Sequence, residues 1–386
     1  MKPVKFGVIG VGGMGGSHAR NIGQLAEAEV VAVADVNEAA AHKMGAEVGA
    51  KSYSDYKALI RKGGVEAVII ATPHYFHPPI AIYAAQHGVH VLSEKPIAVS
   101  VAAADKMVQA CHKDRVKLGV MFQQRTEASR RKMRDMITDG ALGELHRVSM
   151  VVPWYRPQAY YNSGAWRGTW GGEGGGVLMN QAPHSMDQFV WMGGMPQSVQ
   201  GIANTRLHQI EVENTALSIF DYGNGKVGWL YASTAEVPGG ERIEVAGDKG
   251  VLVWEGGKLR HFVLDQPLQE HLRSATEQFG SPKGQWHDVP VEKEPAGHLQ
   301  VVQAFARALR EDDDSLLIAT GEDGLRSLEL ANAMLMAGYT RQEVALPLDR
   351  GRFERMLKKL RDGVAPTELN QSKSGAKRRV ANAATK

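Results

Sequence analysis

The chain has 386 residues, 43% of them hydrophobic and 23% charged, a formal net charge of +3 and a single cysteine, Cys111. This length predicts two domains, and the ordinary globular composition excludes a chain that is disordered throughout. One cysteine excludes an intrachain disulfide and a cysteine-based zinc site. The N-terminus lacks a secretory pattern and no apolar run is long enough to span a membrane, which predicts a cytoplasmic protein without a membrane partner.

The excess of positive charge is concentrated in residues 363–386. These residues carry five basic side chains and one acidic side chain in a stretch rich in Ala, Ser, Thr and Asn. Such a composition cannot bury an apolar core, so we predict a disordered basic tail over 363–386. Because the rest of the chain is close to neutral, the charge does not favour a nucleic-acid partner.

Short apolar runs alternate with alanine-rich helical patterns over residues 1–123. The predicted strands are 4–9, 30–34, 67–71, 89–92 and 117–121. The predicted helices are 14–25, 38–48, 56–61, 79–87 and 101–113. This alternation predicts an α/β domain in which helices cover both faces of a parallel sheet.

The pattern changes after residue 123. A helix at 129–138 and a strand at 144–152 precede an aromatic, glycine-rich loop. Turn signals then separate predicted strands at 198–205, 215–222, 226–233, 242–246 and 251–254, and helices are predicted at 299–309 and 324–337. We therefore predict a second, α+β domain over residues 124–362, with a largely antiparallel sheet.

The first predicted strand ends in a glycine-rich turn with G-x-G-x-x-G spacing, which opens a helix. Such a turn is typical of dinucleotide-binding sites, where the backbone and the helix N-terminus approach a pyrophosphate. The predicted cofactor contacts in it are Gly10, Gly12, Gly13, Met14 and Gly15. Asp35 ends the second strand, where its carboxylate would accept from ribose hydroxyls and repel a 2′-phosphate. The turn and Asp35 together predict NAD rather than NADP.

Two later strands end in polar residues. Thr72, Pro73 and His77 follow one strand, and Glu94 and Lys95 follow the next. Ligands of open α/β sheets bind at the carboxyl ends of the strands. We therefore expect these five residues beside the cofactor, with His77 either bonded locally or lining the nicotinamide pocket.

A third motif lies in the second domain and reads GGGVLMNQAPHSMD, residues 174–187. With the glycine turn and the Glu-Lys-Pro sequence, it resembles the glucose–fructose oxidoreductase/inositol dehydrogenase (Gfo/Idh/MocA) family over most of the chain. The resemblance implies a Rossmann domain followed by a domain with an open-faced sheet. It also implies NAD(P)-dependent chemistry on a hydroxyl of a sugar or cyclitol, and a homodimer or homotetramer.

The resemblance also implies site residues. The family's lysine corresponds to Lys95 and its histidine to His184, while Asn180 stands where the family usually has an acid. A Trp-Arg pair near the nicotinamide corresponds to Trp166 and Arg167. On this basis Lys95, His184 and Asn180 are the expected catalytic residues.

The residue types agree with that chemistry. Hydride transfer from an alcohol needs one group that takes the hydroxyl proton and others that stabilise charge on the oxygen. His184 is suited to the first task and Lys95 to either, so which of them is the base stays open. Asn180 can only orient and hydrogen-bond. We expect it on one helical face with His184, although Pro183 places a helix start or a kink close by.

The loop at 154–170 contains three of the seven tryptophans and three of the ten tyrosines. Aromatic faces beside polar groups suit sugar rings, which predicts substrate contacts by Trp154 and Tyr160 in addition to Lys95, Asn180 and His184. For Trp154 and Trp170, packing between domains or subunits is an equal alternative.

Three functions remain open on these residues. The leading one is an NAD-dependent dehydrogenase acting on a secondary hydroxyl of a sugar, glycoside or cyclitol. The second is redox-neutral glycoside cleavage through a transient keto-sugar, and the third is a regulator that binds sugar or NAD without turnover. The presence of both Lys95 and His184 weighs against the regulator. His74 and His77 have no partner residues in the sequence that suggest a metal, and none is predicted.

Overall fold

The first sheet is parallel and six-stranded, and its strand order is β3-β2-β1-β4-β5-β6. The computed structural model describes residues 2–369. The strands are β1 (Val4–Ile9), β2 (Ala28–Ala34), β3 (Lys51–Tyr53), β4 (Ala67–Ile70), β5 (His90–Ser93) and β6 (Leu118–Val120). The central strands are apolar because helices bury them from both sides. The strand order reverses between β1 and β4, which places a ligand crevice at their carboxyl ends.

The helices of this layer are α1 (Gly13–Asn21), α2 (Glu38–Val48), α3 (Tyr56–Lys62), α4 (His77–Ala85) and α5 (Val101–Lys113). Asn37, Asp55 and Ser100 begin α2, α3 and α5 by accepting from backbone N–H groups of the first turn. The α/β prediction for this part of the chain is confirmed. The sequence pattern missed β3, which has three residues and no buried side chain.

The second sheet has nine strands in the order β14-β13-β12-β11-β7-β10-β9-β8-β15. They are β7 (Leu145–Pro153), β8 (Ser198–Asn204), β9 (Thr215–Asp221), β10 (Val227–Ser233), β11 (Arg242–Gly247), β12 (Gly250–Glu255), β13 (Lys258–Leu264), β14 (Gly284–Asp288) and β15 (Val344–Ala345). Only the β7–β10 pair is parallel among these strands. The predicted, largely antiparallel sheet is confirmed, whereas β13 to β15 were not predicted.

One face of this sheet is covered by helices and the other is open. The remaining helices are α6 (Ala128–Thr138), α7 (Gln158–Tyr161), α8 (Pro183–Gly193), α9 (Leu268–Ser274), α10 (His298–Glu311), α11 (Gly321–Thr340) and α12 (Arg350–Arg361). Helices α8 and α11 pack on the sheet, with Phe189 of α8 against Phe220 of β9 at 4.8 Å between ring centres. The opposite face exposes apolar side chains, including Leu217, Ile219 and Val227.

Helix α10 departs from the predicted division of the chain. Its Phe305 packs against Phe6 of β1, and Val301 and Val302 join the same apolar cluster. The helix thus covers the first sheet although its sequence lies within the predicted second domain. The apolar stripe of α10 needs a sheet face to bury it, and the first sheet provides one.

Two further predictions concern the C-terminal tail and the absence of a membrane-spanning segment. Residues 370–386 of the predicted tail lie outside the described residues. Within residues 2–369, none of the helices is both long and apolar enough to cross a membrane.

Candidate active site

The glycine turn fits a dinucleotide. Gly10 has φ +85, and a Cβ on Gly15 would lie 1.7 Å from the Gly10 carbonyl oxygen, so both positions require glycine. A Cβ on Gly12 or Gly13 would instead meet no protein atom within 4 Å. Helix α1 begins there without a side-chain cap, leaving its first N–H groups for an anion. The open space and the free donors are what a pyrophosphate needs.

Asp35 holds the same turn in place. Its Oδ2 accepts from Val11 N at 2.9 Å and its Oδ1 from Asn37 N at 2.9 Å. Each carboxylate oxygen retains a lone pair that can accept from a ribose hydroxyl. The next side chain, Val36, is 96% exposed and uncharged, so this position offers no cation to pair with a 2′-phosphate.

His77 does not face the cleft. Its side chain is fully buried, with Nδ1 2.9 Å from the Pro96 carbonyl oxygen and Nε2 2.7 Å from that of Thr72. It therefore ties together the loops that follow β4 and β5, and of the two expected roles the structure shows local bonding. His74 is also buried, and burial lowers its pKa to about 3. Residues 2–369 contain no group of three His, Cys, Asp or Glu placed to hold a metal ion.

Glu94 lies behind Lys95 rather than in the open cleft. Its Oε1 is 2.8 Å from His18 Nε2 on α1, and its Oε2 accepts from Lys95 N at 3.2 Å. Burial disfavours its charge, but the His18 hydrogen bond and the positive charges of His18 and Lys95 bring the pKa of Glu94 to about 2. Sequence reasoning missed His18, whose position on the helix gives no signal of this pairing.

Lys95 reaches across from the first sheet to the second domain. Its Nζ donates to the backbone carbonyl oxygen of Asn180 at 2.9 Å. Burial lowers its pKa, Glu94 and Glu173 act in the opposite direction, and Arg156 and Arg167 reinforce the lowering. A lysine in this setting can donate to a substrate oxygen or exchange a proton with it.

The expectation that Asn180 and His184 share a helical face is wrong. Helix α8 begins at Pro183, and Asn180 lies in the turn before it. Pro183 stands in the first turn, where its missing N–H costs nothing. The Asn180 side chain turns toward the aromatic loop, donating to Tyr160 Oη at 3.2 Å and to Glu173 Oε1.

His184 is 7% exposed and lies in the first turn of α8. Its Nε2 is 3.2 Å from Gln123 Nε2, whereas its Nδ1 is buried and has no partner among the described residues. Burial lowers the pKa of His184 well below its usual range, and the Lys95 charge adds to this. Burial therefore favours the neutral imidazole, whose acceptor nitrogen is Nε2, the one that faces the Gln123 amide.

The aromatic loop brings two arginines to one tyrosine. Arg167 Nη1 donates to Tyr160 Oη at 2.6 Å, and its guanidinium lies 4.4 Å from the rings of both Tyr160 and Trp166. The Arg156 guanidinium lies 5.1 Å from the Tyr160 ring and 5.6 Å from that of Trp154. Trp170 is instead buried, 5.5 Å from the ring of Tyr339, which agrees with the packing alternative.

Arg156 and Glu173 are two charged groups of this region with unusual surroundings. Arg156 makes no ion pair within residues 2–369, and its buried Nε has no hydrogen-bond partner there. Glu173 is 1% exposed and bonds to Asn180 and to Gly168 N. Sequence reasoning missed both, together with Gln123 and Gln181. The one available signal for Glu173 was its position directly before the Gly174 motif.

Asp187, the last residue of that motif, lies outside the cleft. Its carboxylate accepts from Arg125 Nε at 2.8 Å and from Arg125 Nη2 at 2.6 Å, and both residues are buried. Arg125 also pairs with Asp323 at 3.0 Å. This ion pair fastens α8 to the turn after β6 and thereby fixes His184 relative to Lys95.

Comparison with known proteins matches both domains to one oxidoreductase family. Residues 4–122 match the model of the oxidoreductase family with an NAD-binding Rossmann fold, and residues 130–253 match the GFO/IDH/MocA C-terminal domain. A solved structure, the WlbA dehydrogenase of Bordetella pertussis in complex with NADH and UDP-GlcNAcA, is 30% identical with a TM-score of 0.76. The match covers 90% of this chain and all of that one.

Two curated relatives that match most of this chain have lower sequence identity. The myo-inositol 2-dehydrogenase of Thermotoga maritima is 24% identical over 86% of this chain and 95% of that protein. The 2,7-anhydro-N-acetylneuraminate hydratase of Mediterraneibacter gnavus is 25% identical over 90% of this chain and 97% of that protein. The two domain matches and the relative at 30% identity show that this chain is an NAD-binding oxidoreductase of the Gfo/Idh/MocA family.

Proposed function

We propose that the protein is an NAD-dependent dehydrogenase that oxidises a secondary hydroxyl of an acidic sugar. The observation that supports the reaction most strongly is that Lys95 of the NAD-binding domain bonds to Asn180, just before the helix that carries His184. Lys95 comes from the end of β5, and the other two come from the start of α8 and the turn before it. These residues lie together because the two domains are in contact at this point.

The residues that would hold the cofactor are those of the glycine turn, Asp35 and the loops after β4 and β5. When bound, the nicotinamide supplies the hydride acceptor. The chain supplies the proton chemistry: His184 accepts the hydroxyl proton at Nε2, where the Gln123 amide otherwise donates, and Lys95 donates to the oxygen on which charge develops. Both groups lie close enough to influence each other's charge, so their pH dependence belongs to the pair.

Tyr160 is the proposed third donor to substrate. Its oxygen receives N–H groups from Arg167, Asn180 and Gln181 at 2.6, 3.2 and 3.2 Å. With its lone pairs already occupied, the hydroxyl can act toward a ligand only as a donor. This orients the hydroxyl proton toward an oxygen of the sugar.

Arg156 supports an acidic substrate. It contributes a positive charge beside Lys95 that is not balanced by an ion pair within the described residues. Arg167 adds a second charge, and its nearest carboxylate, Glu173, is 3.9 Å away. Arg156 Nη1 donates to the Tyr155 carbonyl oxygen at 3.1 Å, and a carboxylate on the sugar would pair with the remaining N–H groups of its guanidinium. The complex of the B. pertussis relative with UDP-GlcNAcA is consistent with this class.

We further propose a homo-oligomer that covers the open face of the second sheet. Ile202, Leu217, Ile219 and Val227 are each between 40% and 55% exposed on neighbouring strands. A contiguous apolar surface of this kind is typical of an interface. A second copy of the chain is the partner that the family resemblance implies.

The test is oxidation of hexuronic acids, free and nucleotide-linked, against the corresponding neutral hexoses, with NADH followed at 340 nm. We expect the acidic sugars to be preferred. Arg156→Gln should raise their KM by about tenfold to a hundredfold, the loss of one charge-assisted hydrogen bond, and leave the neutral sugars unaffected. Arg206→Gln, at an exposed position, is the matched control. Equal KM values for acidic and neutral sugars would contradict the acidic substrate.

A second candidate is a reaction without net oxidation, because one relative of similar length is named a hydratase. The same residues would serve it. The assay distinguishes the dehydrogenase from the redox-neutral enzyme, because a redox-neutral reaction would consume the sugar without a net rise in absorbance at 340 nm.

A further inference from the structure

Glu173 is a buried carboxylate beside the site that the proposed chemistry leaves unused. One oxygen accepts from Gly168 N at 2.6 Å, and the other accepts from the Asn180 side chain. With 1% of its surface exposed, it depends on these donors and on nearby cations to remain charged. It lies on the loop before the Gly174 motif, seven residues ahead of Asn180.

Asn180 joins this carboxylate to the lysine. Its backbone carbonyl oxygen accepts from Lys95 Nζ at 2.9 Å, while its side chain donates to Glu173. The residue therefore links an ammonium on one side to a carboxylate on the other. Asparagine is also where this chain departs from the acid expected at that position of the motif.

The charges around Lys95 show why the carboxylate matters. Glu94 and Glu173 are the carboxylates that act on it, and Arg156 and Arg167 are the opposing cations. Glu94 is already paired with His18 at 2.8 Å. Glu173 is thus the carboxylate that remains to balance the lysine on the side of the substrate domain.

We propose that Glu173 is a positioning residue, whose carboxylate acts on Lys95 through Asn180 and supplies the negative charge that residue 180 itself lacks. The catalytic role of Glu173 rests on the proposed function, whereas its effect on the charge of Lys95 does not. In this chain residue 173, rather than residue 180, carries the negative charge, and the Asn180 amide connects that carboxylate to the residue that binds Lys95. Lys95 is held near Asn180 as an ammonium until a substrate oxygen replaces the carbonyl.

Every charged or titratable group that faces Glu173 is consistent with this role. Burial raises the pKa of Glu173, while Gly168 N, Asn180 and the charges of Arg167 and Lys95 act to lower it. The charge of Glu173 also acts to raise the pKa of Tyr161 in α7 and that of Glu213. The backbone oxygen of Glu173 is 3.1 Å from His74 Nδ1. His74 stays neutral because burial lowers its pKa to about 3, so Arg167 and Lys95 are the cations available to Glu173.

Charge relocation tests the proposal. Glu173→Gln removes the charge and keeps the shape, since the Asn180 amide can turn over and accept from the new NH₂ group. Asn180→Asp in the Glu173→Gln background restores one carboxylate at the neighbouring position. The readout is the pH midpoint at which the Lys95 amine of the full-length protein reacts with acetic anhydride, measured by peptide mass spectrometry.

Removing a negative charge destabilises the ammonium, so Glu173→Gln should lower the Lys95 midpoint by about one pH unit. The double variant should return it to within about 0.3 unit of the parent. Glu211→Gln removes an exposed carboxylate from the same region, one that hydrogen-bonds Trp170 N, and should leave the midpoint unchanged. An unshifted midpoint in Glu173→Gln, or a shift that the double variant does not reverse, would overturn the proposal.

A folding defect in Glu173→Gln does not remove the test. Asn180→Ala in the otherwise unchanged protein removes the amide that donates to Glu173, which favours the protonated carboxyl and should lower the Lys95 midpoint, and no change there would also count against the proposal. The pH profile of kcat/KM should move in the same direction as each midpoint. If no sugar is oxidised but the midpoints shift as stated, the proposed function fails while the role of Glu173 in setting the charge of Lys95 stands.

Discussion

Replacing Asp35 by asparagine should erase most of the preference for NAD over NADP. The carboxylate ends β2 beside the glycine turn, where it would face the 2′-position of the adenosine ribose. Asparagine keeps the size of the side chain and removes its charge. The ratio of the two affinities therefore reports the charge of Asp35 more directly than either affinity does alone.

The magnitude follows from charge repulsion and from two hydrogen bonds. Two unit charges about 4 Å apart repel by about 1 kcal/mol in water and about 4 kcal/mol near a protein surface, so NADPH should bind to the parent about fivefold to several hundredfold more weakly than NADH. The amide of the Asp35→Asn variant has one acceptor oxygen, so it can keep only one of the bonds from Val11 N and Asn37 N. Loss of that hydrogen bond should weaken the binding of NADH by about 1–3 kcal/mol, because it loosens the turn that would hold the pyrophosphate.

The assay is fluorescence titration of NADH and NADPH without substrate. Asp35→Asn should bring the two dissociation constants within about threefold of each other. Adding Val36→Arg at the exposed neighbour should favour NADPH, and Val36→Ala is the uncharged control. Equal binding of NADH and NADPH by the parent protein, or an unchanged ratio in Asp35→Asn, would refute the assignment.

Asp187→Ala should lower the free energy of unfolding in urea by about 3–5 kcal/mol, because it leaves Arg125 without its bidentate partner, whereas Asp362→Ala, which breaks an exposed pair, should cost less than about 1 kcal/mol. Equal losses would contradict the structural role of the motif aspartate. Tyr160→Phe should raise the substrate KM by about tenfold and leave the NADH dissociation constant unchanged, and a parallel loss of NADH binding would show that Tyr160 serves the cofactor. Ile219→Glu on the open sheet face should convert the oligomer to a monomer by light scattering, and a parent protein that is already monomeric would refute that interface.

The fold was predictable from the sequence because its signals are local. The alternation of strands with capped helices gave the first sheet, and helix α2 runs over the predicted residues, with Asn37 at its start. Turn signals gave the hairpins of the second sheet. Besides the unpredicted strands β3 and β13 to β15, the placement of α10 was missed, because an amphipathic helix shows that it needs a partner surface but not which sheet provides it.

The candidate site was predictable only in part. Lys95 and His184 carry motif signals, and the structure brings them to one cleft. The positions of Glu173 and Arg156 relative to Lys95 depend on how the aromatic loop folds over the domain junction, which no periodicity encodes. Asn180 shows the same limit, since Pro183 decides where α8 begins and therefore where the amide points.

The proposed role of Lys95 at the domain junction is to serve NAD-dependent oxidation of a sugar hydroxyl. The deciding measurement is the rate of NADH formation at 340 nm with the preferred acidic sugar, in the parent protein and in Lys95→Met, a variant that should still bind NADH. We expect kcat to fall by about a hundredfold or more, because the donor to the developing charge is lost. NADH formation at the parent rate in Lys95→Met would contradict it.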